Sequence, residues 1–129
     1  MYHLVIHLAK RTTLRVGRLG QFTFPAGHYV YTGSAMSGME ARLARHRRRR
    51  KELHWHIDYL LRRAELVDVV AVPSERGIEC ERNLRVLRME SAEVIAPGFG
   101  SSDCRCPAHL AWFHSPPALT SPPTRGTRA

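Results

Sequence analysis

The sequence predicts a small α+β domain in which antiparallel β-structure precedes most of the helices. Three observations carry that prediction. Apolar and polar residues alternate from Tyr2 to Leu8; apolar residues recur at helical spacing after Gly33; and 129 residues, 43% of them apolar, suffice for one core but not for two.

The elements follow in order. Tyr2, Leu4, Ile6 and Leu8 fall on one face of a first strand and His3, Val5 and His7 on the other, the pattern of a half-buried strand. Lys10 to Thr13 make a polar turn, and Leu14 to Val16 can pair back. Gly17 to Gly20 turn the chain into Gln21 to Phe24, and Pro25-Ala26-Gly27 turns it again into the run His28 to Thr32. Beyond Gly33, Met39 and Leu43 are spaced as on one side of a helix whose other side is basic. Ile57, Leu60, Leu61 and Ala64 give a second amphipathic helix. Val67 to Val72 is apolar and largely β-branched, which reads as a buried central strand ending at Pro73. Ile78 to Met89 form a third helix with Cys80, Leu84 and Leu87 on its apolar side, and Ala92 to Ile95 a last short strand. The domain so drawn spans residues 1–114 and includes a Cys/His segment at 99–110; residues 115–129, rich in Pro, Ser, Thr and Arg, read as a disordered tail.

Charge narrows the choice of partner. Twenty Lys and Arg against eleven Asp and Glu give a net charge of +9, and residues 42–51 hold six arginines and a lysine without an acid. Such a block favours a polyanion, nucleic acid first and DNA foremost. Arg45, Arg47, Arg48, Arg49, Arg50 and Lys51, followed by His54 and His56, are the candidate contacts; a merely solvated basic face is the plainer alternative. No apolar run approaches the ~20 residues of a membrane span, and the start lacks the pattern of a signal peptide. A cytoplasmic protein without membrane partners is the expectation.

Few residues have the chemistry for a reaction. Tyr2 and Tyr31 lie on strands that could bring them together, although a phenol with a pKa of ~10 needs help to take a proton at neutral pH. Arg42 and His46 stand four apart on one helix, where a guanidinium fork and an imidazole can face one phosphate. Glu79, at a helix start, can hold magnesium or manganese with waters and a substrate phosphate, or can simply offset the helix dipole. Cys104, Cys106 and His109, with Cys80 as a distant fourth, are candidate zinc ligands. A single residue between paired cysteines is closer than structural zinc sites prefer, so buried reduced thiols are the favoured alternative.

Tyr31-Thr32-Gly33, Arg42, His46 and Glu79, in that order and spacing, resemble the GIY-YIG nuclease superfamily, more closely its small stand-alone Uri-type branch. Tyr2 stands at the tyrosine of the GIY element, which here lacks its glycine, and Thr32 replaces the usual isoleucine. The resemblance implies a three-stranded antiparallel sheet flanked by helices. It also implies a metal-dependent endonuclease: a tyrosine assists water, Arg42 stabilises the transition state, His46 attends them and Glu79 holds Mg2+ or Mn2+. A non-catalytic nucleic-acid-binding module on the same scaffold is the alternative.

Overall fold

The computed structural model describes residues 1–33, 39–48, 53, 55–71, 78–101 and 104–119. Its six strands are β1 (Tyr2–Leu8), β2 (Thr12–Val16), β3 (Gly20–Phe24), β4 (Gly27–Gly33), β5 (Glu65–Ala71) and β6 (Leu110–Phe113). The helices are α1 (Met39–Arg47), α2 (His56–Leu61) and α3 (Ile78–Leu87). The α+β class is as expected, and every strand pairing is antiparallel.

The main sheet has four strands, in the order β5-β1-β4-β6, where the family resemblance implied three, and β2 and β3 form a separate two-stranded ribbon. The added strand is β6, of which only Leu110 fell within the Cys/His segment of the sequence reading, residues 111–113 being assigned to no element. Leu110, Ala111 and Phe113 are buried, and β6 covers the edge that β4 would otherwise leave open. The short strand expected at residues 92–95 is reduced to one bridge, Glu93 to Trp112.

Burial corrects two further expectations. β1 is the strand buried on both faces, so its alternation separates two cores instead of core from solvent. On one side Tyr2, Leu4, Ile6 and Leu8 meet Leu43 of α1, Ile57 and Leu60 of α2, and Phe24. On the other, Val86 of α3 packs with Val30, Ala111 and Phe113. β5, expected in the centre, lies at the sheet edge. Its register slips between Val5 and Ile6, which pair with Asp68 and Leu66 and leave Val67 as the extra residue of a bulge; Val67 is accordingly 55% exposed. At the start of the chain Met1 and Tyr2 are buried.

His3 lies on the α3 side, its Nδ1 2.9 Å from the Thr32 hydroxyl. Burial, with Arg82 and the N-terminal ammonium adding to it, holds its pKa down to about 4 from an ordinary 6.5. The neutral ring is therefore the folded form. Its contribution to stability is complete above pH 6.5 and is lost as the pH falls through about 4. Thermal melting across that window should show wild type losing more stability than His3→Gln, and parallel curves would contradict this.

Of the tail, Leu119 packs against the Val86 cluster, and residues 120–129 lie outside the described residues. Among the described residues no helix is long and apolar enough to cross a membrane.

Candidate functional site: an aromatic–basic centre and a thiol–imidazole cluster

Strand pairing sets the first centre. Tyr2 is opposite Gly33, and Leu4 opposite Tyr31, so both tyrosines project from the same face at the same end of the β1/β4 pair. Their ring centroids are 6.4 Å apart. Gly33 is needed there: a Cβ at that position would stand 2.5 Å from the Tyr2 hydroxyl oxygen and equally close to Cζ. The phenol lies where a side chain would be, which is a packing reason for glycine after Thr32.

α1 closes over the tyrosines. Leu43 and His46, one turn apart, form its buried side, so His46 is a core residue by position. Its Nε2 is 2.8 Å from the Tyr2 hydroxyl, and its ring lies 5.4 Å from Tyr2, 6.4 Å from Tyr31 and 6.0 Å from Trp55. Burial raises the Tyr2 pKa, against which the nearby Arg42 guanidinium acts through a hydrogen bond and its charge. Burial also raises Tyr31, assisted by Tyr2 and opposed by Arg42. The two phenols, His46 and Arg42 thus form one electrostatic unit in which Tyr2 is the hinge between imidazole and guanidinium.

Trp55 and Asp58 brace this unit. The guanidinium carbons of Arg42 and Arg45 lie 4.3 and 4.4 Å from the Trp55 ring centroid. Arg45 also donates to Asp58 at 2.8 Å, and the fully buried Asp58 accepts the Trp55 backbone N–H at the start of α2, again at 2.8 Å. Arg45, read from sequence as a nucleic-acid contact, is thereby committed to an internal ion pair. His56 is likewise engaged, accepting the Gly100 N–H on Nδ1 at 2.8 Å and packing against Phe99. Arg47 and Arg48 are exposed at the end of α1, whereas Arg49, Arg50, Lys51 and His54 lie outside the described residues.

Glu79 occupies the first turn of α3, half-buried. It lies near enough to the Met1 ammonium to act against the lowering of that group's pKa by burial. The carboxylate is thus linked to the residue before Tyr2 and is not among the groups that act on Tyr2 or Tyr31.

The second centre joins three separate pieces of chain. Cys80 of α3, Cys104 and Cys106 of the loop, and His109 just before β6 bring one potential ligand atom each within 4.8 Å of all the others. His109 Nε2 is 3.2 Å from the Cys104 sulfur and 3.9 Å from that of Cys80. Its other nitrogen, Nδ1, is 3.0 Å from the Thr32 carbonyl oxygen, to which only a protonated Nδ1 can donate. All three thiols are free of disulfides, and burial together with the neighbouring sulfurs pushes Cys80 up to about 12. Such a set can hold a metal ion, and its softness suits zinc better than magnesium.

The two centres share β4. Thr32 receives His109 Nδ1 on its carbonyl, donates its own N–H to the His109 carbonyl at 3.0 Å, and stands between Tyr31 and Gly33.

A family model described as domain of unknown function DUF123 matches residues 1–125, which include both centres. The chain belongs to the DUF123 family. At a stringent threshold no curated protein and no solved structure matches it.

Within this DUF123 domain, sequence reasoning found Tyr2, Tyr31, Arg42 and His46, which do converge, and it found the four cluster residues. It missed Trp55 and Asp58 as partners of the arginines. One signal was legible: an acid three residues beyond Trp55, where a carboxylate can reach back to an N-terminal N–H of the helix. The double engagement of Thr32 had no local signal, because His109 is far away in the chain.

Proposed function

We propose that this chain is a metal-dependent endonuclease of GIY-YIG type that hydrolyses phosphodiester bonds, with DNA as its substrate. The observation that carries the reading is the Tyr2 hydroxyl held 2.8 Å from His46 Nε2 while Arg42 bears on the same oxygen. Burial alone would make that phenol a weaker acid and keep it protonated. An imidazole as proton acceptor removes this obstacle. In the proposed reaction Tyr2 passes its proton to His46 and takes one from water; the water oxygen then bonds to phosphorus as the bond to the leaving oxygen breaks. The leaving alkoxide takes a proton from solvent water, and His46 returns its proton to solvent. Arg42 neutralises charge on the equatorial phosphate oxygens, where a planar fork of donors is worth most. Tyr31 lines the same face.

Glu79 fits a hard cation in one respect: it is a half-buried oxygen donor whose charge bears on the Met1 ammonium, one residue before Tyr2. A single carboxylate commonly holds magnesium or manganese together with waters and substrate phosphate. Such an ion would act as a Lewis acid on the phosphoryl oxygens. Arg47 and Arg48, exposed beside the centre, would track the backbone of the substrate.

The reading is tested by screening single-stranded, duplex and branched DNA for cleavage with Mg2+ or Mn2+. Cutting by wild type that is lost in Arg42→Ala supports it; cutting unchanged in Arg42→Ala overturns it. The engagement of Arg42 and Arg45 with Trp55 favours a second reading, a binding module without catalysis, in which the arginines are structural. That module would bind DNA in a salt-dependent way and cut none of it.

A further inference from the structure

The thiol–imidazole cluster lies outside the proposed reaction, and every cysteine of the chain belongs to it. Cys80 comes from a helix, Cys104 and Cys106 from a loop, and His109 from the approach to the edge strand β6, so sequence neighbourhood alone does not bring the four together. The three thiols are spared from disulfides although they crowd one point.

We infer that Cys80, Cys104, Cys106 and His109 form a closed, structural Cys3His zinc site that fastens the loop before β6 across the end of β4. The geometry is that of a nearly assembled tetrahedron. Zn–S bonds of about 2.3 Å and a Zn–N bond of about 2.0 Å place the ligand atoms of a Cys3His tetrahedron about 3.5–3.8 Å apart. The contacts of 3.2 and 3.9 Å from His109 Nε2 already bracket that range, and none in the set exceeds 4.8 Å. Closure on an ion therefore needs shifts of about 1 Å at most.

The surroundings of His109 point the same way. A metal-bound imidazole usually donates its second N–H to a carbonyl or carboxylate, which fixes the tautomer and directs the other nitrogen at the metal. Here Nδ1 donates to the Thr32 carbonyl and Nε2 faces the thiols. The His109 backbone is also held, its N–H donating to the Phe99 carbonyl at 2.7 Å and its carbonyl accepting from Thr32. Four ligands from the protein leave no open position, so the role is structural and not catalytic.

Zinc would stabilise more than its own loop. The segment from Gly98 to His109 carries Phe99, whose ring lies 6.3 Å from Tyr31 and 5.6 Å from His56. It also carries Gly100, where a Cβ would stand 3.1 Å from Tyr31 and 3.1 Å from His109. A metal at one end of that loop holds the wall against which Tyr31 packs.

The test uses full-length protein purified without added metal, with metal content and melting temperature as readouts. It is independent of the nuclease reading, which can fail without affecting it. One zinc per chain is expected. Removal by a strong chelator should lower the melting temperature by roughly 10 °C or more, since metal binding at such a site is folding free energy. Cys104→Ser with Cys106→Ser should abolish stoichiometric zinc, whereas Arg105→Ala, an exposed change between them, should keep it. If the double variant does not fold, cobalt replacement in wild type decides: thiolate-to-cobalt absorption with tetrahedral bands supports the site, and their absence overturns it. Iron and sulfide in place of zinc, a melting temperature indifferent to the chelator, or full zinc content in the double variant would each overturn it as well.

Discussion

Tyr2→Phe will lower DNA cleavage by roughly 100- to 1,000-fold while leaving DNA binding nearly unchanged, at a stability cost of about 1–3 kcal/mol for the buried hydrogen bond lost to His46. The substitution removes one oxygen from a ring that is otherwise retained, so its seat against Gly33 and its packing with Tyr31 and His46 survive. What disappears is the hydroxyl between His46 Nε2 and Arg42, and with it the proposed route from water to imidazole. A purely structural tyrosine would behave differently, with the change in stability and none specific to cutting by the folded protein. Cleavage rates and binding isotherms of the two proteins, measured on one labelled substrate, separate the cases.

Arg45→Ala should be the most damaging surface-adjacent substitution for stability. Its partner Asp58 has a side chain with no solvent exposure, and the Arg45 side chain is itself only 19% exposed. Removing the arginine takes away the guanidinium that donates to this buried carboxylate, a change that costs about 3 kcal/mol or more. For a chain of this size that corresponds to a fall in melting temperature of roughly 10 °C. The i,i+4 pair Arg85–Glu81 supplies the contrast: both side chains are about two-thirds exposed, and Arg85→Ala should leave the melting temperature essentially where it was. Calorimetry or thermal melts of the two variants check the difference, and equal effects would contradict the assignment of Arg45 to an internal brace.

The sequence was most informative where a local pattern had one physical cause. Alternation in residues 2–8 placed Tyr2, Leu4, Ile6 and Leu8 on one face, and they share one core. The same pattern misled about the opposite face, because His3 and Val5 are buried there too, where a solvated face would have exposed them. β5 failed for a related reason: an apolar run says nothing of sheet order, and the bulge at Val67 turns an apolar side chain outward. β6 is four residues long, below the length at which alternation can be read, and what makes it a strand is the open edge of β4.

The candidate centres were legible to the extent that residue type limits chemistry. Arg42 and His46 were drawn together by helical spacing, and the structure adds that Tyr2 joins them. The role of Arg45 could not be read from the basic run, because its arginines look alike until Asp58, 13 residues on, selects one of them. The cysteine cluster was under-read for the opposite reason. The single-residue spacing of Cys104 and Cys106 argued against a zinc site, but that rule weighs sequence neighbours, whereas here Cys80 of α3 joins the segment's Cys104, Cys106 and His109 from elsewhere in the fold.

The measurement that bears most directly on the central reading compares binding and cutting of one DNA substrate by wild type and Glu79→Gln in the same magnesium buffer. The reading predicts that both proteins bind comparably, that wild type cuts, and that Glu79→Gln cuts at least roughly 100-fold more slowly. Wild-type binding without cutting across Mg2+ and Mn2+, or equal cutting by the two proteins, would contradict it.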